Sequence, residues 1–405
     1  MVVKFEKSKL FGKAVFPPSK SDSHRLLIAA ALADGESVIR GTSRCDDVLA
    51  TVASLRSLGA DITLEGDTAR VKGTDIRGAE VEGALHVNES GSTLRFLIPL
   101  SLLTEKEVLF EGKTRLFERP LFVYEKIVLE NGGKFDIKTG ALAVKGTLPG
   151  GEYRLKGDVS SQFITGLLFA LPLAVENSRI IIEPPFESRP YVDMTIATLR
   201  KFGIKVSFED EYTINILGNQ RYTPHDDTVE GDWSAGAFLA AINLLHPDVE
   251  VEGYSLDTLQ GDSVSIDYLD KIKKGGAKLD ISDCPDLGPI LFAMAAYFGE
   301  AEFVGTRRLL IKESDRCGAM AEELKKVGAV VEISENSVTV RGGELHKPND
   351  VINGHNDHRI VMSMAVLCSI FGGEIDGAEA VKKSYPEFFE VMKSLGGRID
   401  NLEQI

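Results

Sequence analysis

The sequence predicts an α/β protein of two domains, each built from three similar α/β units. Three observations support this fold class. A chain of 405 residues is too long for one compact core. A helix that ends at glycine and continues into a short β-like run occurs six times. Segments 162–174 and 234–245 are apolar nearly all round, which indicates helices buried in domain interiors.

The six repeated segments set the number of units. Their glycines are 52 to 73 residues apart, and they stand at positions 59, 132, 203, 276, 328 and 396. In each copy the glycine closes the helix, and basic residues favour that helix end in most copies. The alternation that follows is typical of a strand. One such segment is common after any helix, whereas six indicate an internal repeat with three copies in each half.

The boundary between the halves is predicted in the polar run 222–231. A first strand over residues 2–5 precedes all the repeats. By itself this segment could pair with either half of the chain.

Composition and charge limit the possible functions. Hydrophobic content of 43% and charged content of 26% are ordinary for a globular protein, and no apolar run is long enough to span a bilayer. A net charge of −15 disfavours nucleic acid and anionic lipid as partners. The N-terminus has no signal-peptide pattern, and the four cysteines are scattered without Cys-x-x-Cys pairs. We therefore expect a cytoplasmic protein without disulfides or a zinc site, whose anionic ligands are held by local basic clusters.

The first basic cluster is the segment 17–25, which runs into the apolar stretch 26–32. Two prolines fix an extended entry, and serine or aspartate caps the helix that follows. A helix N-terminus favours anions, and Lys20 and Arg25 add positive charge there. The alternative for this segment alone is an ordinary capped helix with solvated charges.

Similar polar segments precede other predicted helices. In the first half they are 88–95, 117–120, 158–162 and 187–193. In the second half they are 283–289, 312–316, 356–359 and 382–386. Each is individually compatible with a helix cap or a solvated charged turn. Their number favours helix N-termini that converge on anionic ligands.

This ordered set resembles the enolpyruvyl transferases, and most closely the family of 5-enolpyruvylshikimate-3-phosphate synthases. The matching motifs follow the family order: Ser19-Lys20-Ser21-x-Ser23-x-Arg25, Gly91-x-Thr93-x-Arg95, Glu118-Arg119-Pro120, Ser160-Ser161-Gln162, Ser188-Arg189-Pro190-Tyr191, Pro285-Asp286, Lys312-Glu313-Ser314-Asp315-Arg316, Asp357-His358-Arg359 and Lys383-Ser384-Tyr385-Pro386.

The resemblance implies a fold of two domains, each made of three βαβαββ units, with the active site in the cleft between them. It places residues 15–226 in the shikimate 3-phosphate domain. Residues 1–14 and 227–405 form the domain with the phosphoenolpyruvate side and the catalytic carboxylates. Because cations are expected in both domains, bound anions should favour domain closure, which compaction in small-angle scattering would detect.

The implied reaction transfers the enolpyruvyl group of phosphoenolpyruvate to the 5-hydroxyl of shikimate 3-phosphate and releases phosphate. Asp286 would accept the hydroxyl proton, Glu313 would exchange a proton with the methylene carbon, and Lys20 would assist catalysis. The resemblance assigns phosphoenolpyruvate to Lys20, Gly91, Arg119, Gln162, Arg316, Arg359 and Lys383. It assigns shikimate 3-phosphate to Ser21, Arg25, Ser160, Ser161, Gln162, Ser188, Asp286 and Lys312. No metal or cofactor is implied, and we expect a monomer with no nucleic-acid or membrane partner.

Two departures from the family pattern and one retained residue bear on this interpretation. Glu89 replaces an asparagine of many relatives, and Arg308 stands where some relatives have a ligand-binding asparagine. Gly91 is retained where glyphosate-tolerant relatives carry alanine, so we expect a glyphosate-sensitive enzyme.

The nearest alternative function is the sister activity on UDP-N-acetylglucosamine, which uses a loop cysteine. The only cysteine of the first half, Cys45, lies far along the chain from Arg119. A non-catalytic anion-binding protein is a second alternative, although it would be expected to lose Asp286 or Glu313. A third is one unit of a fused multi-enzyme chain, which we do not expect.

Overall fold

The computed structural model describes residues 1–400 and divides the chain into two compact units. Pro18–Glu230 forms one, here called the N-terminal unit. Met1–Pro17 and the described residues from Gly231 onward form the other, here called the C-terminal unit. Each unit has its own apolar core. The chain therefore starts in the C-terminal unit, passes through the whole N-terminal unit and returns.

The helices and strands follow one another in a regular order. The strands are β1 Val2–Glu6, β2 Gly12–Val15, β3 Glu36–Arg40, β4 Asp61–Glu65, β5 Thr68–Lys72, β6 Leu85–Asn88, β7 Val108–Gly112, β8 Lys134–Lys138, β9 Ala141–Lys145, β10 Gly151–Lys156, β11 Ser178–Glu183, β12 Val206–Phe208, β13 Thr213–Ile216, β14 Asp227–Thr228, β15 Val249–Glu252, β16 Ala277–Asp280, β17 Glu300–Val304, β18 Val330–Ile333, β19 Ser337–Arg341, β20 Ile352–Asn353, β21 Gly373–Asp376 and β22 Arg398–Asp400. The helices are α1 Lys20–Ala31, α2 Asp46–Ser57, α3 Gly91–Ser101, α4 Thr114–Glu118, α5 Phe122–Glu130, α6 Ser161–Ala170, α7 Arg189–Lys201, α8 Trp233–Leu245, α9 Ser265–Lys274, α10 Gly288–Phe298, α11 Arg316–Lys325, α12 His358–Phe371 and α13 Phe388–Ser394.

Five of the six sheets formed by residues 1–400 share one four-stranded topology. In the sheet β6-β7-β9-β8, β6 and β7 are parallel, whereas β9 is antiparallel to both β7 and β8. The sheet β10-β11-β13-β12 repeats this arrangement. The chain order of each complete unit is βαβαββ. The predicted α/β fold of repeated units is confirmed.

Two of the sheets include one strand from a distant part of the chain. In the C-terminal unit, β1 pairs with β21 and β22 and takes the place of the fourth strand. In the N-terminal unit, β14 pairs with β3 and takes the place of the first strand. In each of these two sheets, therefore, one strand is far in sequence from the strands with which it pairs.

One repeat differs from the others. The helix α9 ends before Gly275 and Gly276, as in the repeated pattern, but the strand that follows is β16. β16 pairs in parallel with β17 and so begins the next sheet. The repeat made of β2, α8, β15 and α9 therefore has only the two-stranded sheet β15-β2. This difference explains why the spacing after Gly276 is shorter than the others.

Several helices are buried on almost every side. All residues of α6 except Gln162 are buried, and α10 and α12 are buried except for the last two residues of each helix. This confirms the interior helices predicted from apolar segments. Because the bodies of these helices are buried and apolar, their polar side chains lie mainly at the N-terminal turns. Among residues 1–400, no helix is both long enough and apolar enough to cross a membrane.

Candidate functional site

Four helices of the N-terminal unit begin directly after a serine. Ser19, Ser90 and Ser160 accept hydrogen bonds from backbone N–H groups in the first turns of α1, α3 and α6. Ser188 precedes α7 in a left-handed conformation, with φ of 55°, and its side chain makes no capping bond to that helix. A neutral cap leaves the positive end of the helix dipole available to an anion. We call these four serines and the cations beside them the serine-capped cluster.

Arg25 joins α1 to α7. Its Nε donates to the Thr195 hydroxyl at 3.0 Å, and its Nη2 donates to the Tyr191 carbonyl at 2.9 Å. Its Nη1 donates to the Ser21 carbonyl at 2.6 Å. Burial lowers the pKa of Arg25 to about 10, so the guanidinium is charged at neutral pH. The first turns of α1 and α7 are thus held together around a positive charge.

Arg95 joins α3 to α6 in the same way. Its Nη1 donates to Gln162 Oε1 at 2.7 Å, and Gln162 Nε2 donates to Ser92 Oγ at 3.0 Å. A Cβ placed on Gly91 would lie 2.8 Å from Arg119 Nη1 and 3.0 Å from Arg95 Nη1. Glycine at this position therefore lets two guanidinium groups approach the start of α3.

A buried polar chain connects α1, α2 and α3. Thr51 Oγ1 lies 2.8 Å from His24 Nδ1 and 2.6 Å from Thr93 Oγ1. Burial places the pKa of His24 well below its usual value, so the ring is neutral. Close by, Lys20 Nζ lies 2.9 Å from Asp47 Oδ2, and both side chains are largely buried. The Asp47 contact fixes Lys20 beside the first turn of α2.

The C-terminal unit contains a cluster of a different kind, centred on one buried arginine. The side chain of Arg316 is 1% exposed and reaches three carboxylates. The distances are 2.8 Å from Nη1 to Asp286, 2.6 Å from Nη2 to Glu313 and 2.8 Å from Nε to Asp357. Although burial alone would lower it, the pKa of Arg316 is raised because Asp357, Glu313 and Asp286 stabilise the charge. We call Asp286, Lys312, Glu313, Arg316, Asp357 and Arg359 the carboxylate cluster.

Two further cations contact Asp286. Lys312 Nζ lies 3.2 Å from Asp286 Oδ1, and Arg359 Nη2 lies 3.1 Å from Oδ2. Arg359 also donates to the Asp286 carbonyl at 2.9 Å and to Ser234 Oγ at 2.7 Å. Burial lowers the pKa of Lys312 to about 8, and Asp286 opposes that shift.

The three carboxylates of this cluster differ in exposure. Asp286 and Glu313 are 24% and 21% exposed, whereas Asp357 is fully buried. Asp357 caps α12 through the Arg359 N–H and also accepts from the Ser314 hydroxyl. Burial alone would raise the pKa of Asp357, but the charge of Arg316 lowers it. Asp286 and Glu313 can therefore meet a ligand, while Asp357 holds the cluster together.

Lys383 lies next to this cluster along the backbone. Its Nζ donates to the Asn356 carbonyl at 2.7 Å, one residue before Asp357. Among the candidate residues of the second half, the structure thus brings Asp286, Lys312, Glu313, Arg316 and Arg359 into direct contact, and it links Lys383 through the main chain. In the first half it joins Arg25 to Ser21, Gly91 to Arg119, and Gln162 to the Ser160 cap. Ser161 is the first residue of α6, and Ser188 precedes α7.

Five residues join these clusters without having been given a role from the sequence: Asp47, Arg95, Thr195, Ser234 and Asp357. Arg95 and Asp357 stand inside the quoted motifs, and an aspartate directly before an apolar helix is itself a capping signal. Nothing local marks Asp47, Thr195 or Ser234, because their partners lie tens of residues or more away.

Comparison with known proteins shows the family to which the chain belongs. The sequence profile described as EPSP synthase (3-phosphoshikimate 1-carboxyvinyltransferase) matches residues 5–392. The chain belongs to the EPSP synthase family. Relatives named 3-phosphoshikimate 1-carboxyvinyltransferase include one from Clostridium kluyveri, 40% identical over 98% of both chains. Another, from Clostridium novyi, is 39% identical over 98% of both chains.

Solved structures show the same fold. EPSP synthase from Acinetobacter baumannii superposes with a TM-score of 0.79 at 22% identity, over 99% of this chain and 100% of that one. The enolpyruvyl transferase NikO from Streptomyces tendae gives a TM-score of 0.76 at 15% identity, over 98% of both chains. The EPSP synthase fold thus agrees with the βαβαββ repeats described above.

Proposed function

We propose that this protein transfers the enolpyruvyl group of phosphoenolpyruvate to the 5-hydroxyl of shikimate 3-phosphate, which releases phosphate. The EPSP synthase family, to which the chain belongs, supports the reaction. The observation that carries the chemistry is the contact of Asp286 and Glu313, both partly exposed, with the buried guanidinium of Arg316. Two carboxylates with different neighbours can divide the acid and base roles.

The first step is an addition. The 5-hydroxyl oxygen attacks C2 of phosphoenolpyruvate and gives its proton to Asp286, while the methylene carbon takes a proton from Glu313. The resulting tetrahedral intermediate carries a methyl group, the phosphate and the new C–O bond. In the second step a methyl proton returns to Glu313, the C2–O bond to the phosphate breaks and the double bond forms again. Asp286 gives its proton to the departing phosphate, so both carboxyl groups regain their starting states.

The binding residues are those that the family motifs imply. We infer that phosphoenolpyruvate is held by Lys20, Gly91, Arg119, Gln162, Arg316, Arg359 and Lys383. We infer that shikimate 3-phosphate is held by Ser21, Arg25, Ser160, Ser161, Gln162, Ser188, Asp286 and Lys312. Guanidinium groups suit carboxylates and phosphates because their forked N–H groups donate in pairs. In this proposal the serine-capped cluster and the carboxylate cluster serve the same reaction.

The sister activity on UDP-N-acetylglucosamine is less favoured by the state of Cys45. This thiol is fully buried, and burial raises its pKa to about 11. A thiol of this kind is a poor nucleophile or acid at neutral pH. Cys45 is also the only cysteine between Pro18 and Glu230.

We infer further that the enzyme acts as a cytoplasmic monomer. The four cysteines are free thiols, which suits a reducing compartment. Sedimentation of the purified protein tests the oligomeric state.

We also propose that glyphosate inhibits the enzyme, because Gly91 is retained. An inhibition constant in the millimolar range contradicts this inference.

The deciding experiment measures phosphate release from phosphoenolpyruvate in two tubes, one with shikimate 3-phosphate and one with UDP-N-acetylglucosamine. We expect release only in the first tube, and its loss in Asp286→Ala and Glu313→Ala. Release only in the second tube assigns the sister activity. If neither tube releases phosphate while the ligands still bind, the protein is a non-catalytic anion-binding protein.

A further inference from the structure

Glu323 is a fully buried carboxylate for which the proposed reaction has no role. It lies on α11, seven residues after Arg316, and so on the same side of the helix two turns later. Its Oε1 lies 2.9 Å from His355 Nε2. Its Oε2 accepts from the Asn353 N–H at 3.0 Å and lies 2.8 Å from Lys326 Nζ. Two of these three partners belong to one short segment, residues 353–355.

That segment has an unfavourable backbone. His355 and Asn356 are consecutive non-glycine residues in the left-handed region, with φ of 48° and 51°. Such residues are uncommon and are kept in place only by their surroundings. Glu323 supplies two of the contacts that hold the segment, and the His355 N–H adds a bond to Asn353 Oδ1 at 2.8 Å. The conformation at 355–356 therefore depends on a carboxylate on a different element.

The residues that follow this turn belong to the candidate site. The Asn356 carbonyl accepts from Lys383, and Asp357 bonds Arg316 and caps α12. Helix α11 thus fixes Arg316 directly at its first turn. Through Glu323 it also fixes the segment that carries the Asp357 partner of Arg316.

We propose that Glu323 and His355 form a positioning pair for the phosphoenolpyruvate-binding cations Arg316 and Lys383. This inference rests on the proposed function for the identity of the ligand. Glu322, Glu323 and His355 also have ligand atoms within 4.8 Å of one another, as a metal site would require. The Glu323 oxygens and His355 Nε2 are, however, already bonded to each other and to protein donors. The positioning role follows from these bonds.

The test compares Glu323→Gln with Glu322→Gln, a neighbour on the same helix whose side chain is 60% exposed. The Glu322 carboxylate lies 3.9 Å from His355 Nε2, beyond hydrogen-bond distance, so this control removes a nearby charge without removing a bond that holds the turn. Glutamine at 323 keeps one acceptor and turns the other oxygen into a donor that faces a donor. We expect the KM for phosphoenolpyruvate to rise about tenfold in Glu323→Gln, which corresponds to about 1.4 kcal/mol of binding. The KM for shikimate 3-phosphate should stay within about twofold, as should both constants in Glu322→Gln.

His355 provides a rescue experiment. His355→Ala should raise the KM for phosphoenolpyruvate as Glu323→Gln does. His355→Gln should restore most of the loss, because the amide can donate to Glu323 from the position of Nε2. The proposal is overturned if the KM values for both substrates rise equally, or if Glu323→Gln leaves both KM values unchanged. It is also overturned if His355→Gln restores no more binding than His355→Ala.

Hydrogen exchange separates this inference from the proposed function. The Asp357 N–H is bonded to the Gly354 carbonyl at 2.9 Å, so it reports directly on the turn. We expect faster exchange of the 353–357 amides in Glu323→Gln but not in Glu322→Gln. If wild-type protein releases no phosphate, the proposed function fails, while this measurement still decides whether Glu323 holds the turn. Unchanged exchange overturns the positioning role.

Discussion

The two clusters cap their helices with different residues. In the N-terminal unit, α1, α3 and α6 are capped by the neutral side chains of Ser19, Ser90 and Ser160. In the C-terminal unit, α8, α11 and α12 are capped by aspartates. Both residue types satisfy the same backbone N–H groups. An aspartate, however, also neutralises the positive helix end, which a serine leaves for an external anion.

The arginines follow the same division. Arg25 is held by hydroxyl and carbonyl oxygens, which do not cancel its charge. Arg316 is surrounded by Asp286, Glu313 and Asp357. The serine-capped cluster is therefore suited to attracting anions. The carboxylate cluster is suited to moving protons beside cations whose charge is already largely balanced. The following predictions test this division, from the largest expected effect to the smallest.

Replacing Asp286 by asparagine should abolish most turnover. The amide fills the same space but cannot accept a proton, so we expect kcat to fall about 10³-fold, within the usual range for acid–base catalysis. The measurement is steady-state phosphate release. Asp283→Asn, at an exposed position three residues earlier, should keep kcat within about twofold. If Asp286→Asn retains more than a tenth of wild-type kcat, Asp286 is only an ion-pair partner.

Ser160→Asp tests whether the neutral caps matter. Aspartate caps a helix as well as serine does, so the melting temperature should hardly change. The added charge should oppose an anionic ligand, and we expect the KM for shikimate 3-phosphate to rise at least about 100-fold. Ser160→Thr, a neutral cap, is the matched control and should behave like wild type. Similar KM values in all three proteins contradict an anion site at α6.

Asp357→Asn tests the structural carboxylate. It removes one partner of a fully buried arginine, so we expect the free energy of unfolding to fall by about 3 kcal/mol at pH 7. Since the folded pKa of Asp357 is depressed, its contribution is complete above the unfolded pKa of about 4 and is lost as the pH falls through the folded pKa. Urea unfolding at several pH values should show the difference between the two proteins shrinking below about pH 4. A constant difference contradicts a role for the Asp357 charge.

The pH dependence of binding should report on Lys312. Its pKa of about 8 means that it loses its proton at a pH where an ordinary lysine stays charged. The KM for shikimate 3-phosphate should therefore rise above about pH 8, by up to about tenfold per pH unit. Lys312→Arg keeps the charge and should give a flat profile between about pH 7.5 and 9.5. If the KM of the wild-type enzyme for shikimate 3-phosphate does not change over this pH range, Lys312 does not bind this substrate.

Gly91→Ala should have the smallest effect. The three heavy atoms nearest to the added Cβ belong to the guanidinium ends of Arg119 and Arg95, and alanine favours a helix over glycine. We expect the free energy of unfolding to change by less than about 1 kcal/mol. The KM for phosphoenolpyruvate should rise a few-fold, because the guanidinium groups must shift. A large loss of stability indicates that the arginine side chains cannot move.

Much of the architecture could be predicted from the sequence because its signals are local. The serine and aspartate caps, the glycine after each repeated helix and the apolar helices depend on residues within a few positions of one another. The repeat around Gly276 shows the limit. Its helix–glycine–strand signal matches the other copies, yet β16 pairs with β17 and begins a different sheet.

The candidate site shows the same limit. The sequence by itself determined which residue types stand at each helix start, since capping and dipole effects act within one turn. Only the tertiary structure decided their partners, such as Asp357 for Arg316 and Thr195 for Arg25. It also decided that β1 completes the sheet of β21 and β22, nearly four hundred residues later. These pairings depend on which charges and strands are buried together, which is a property of the whole fold rather than of any local segment.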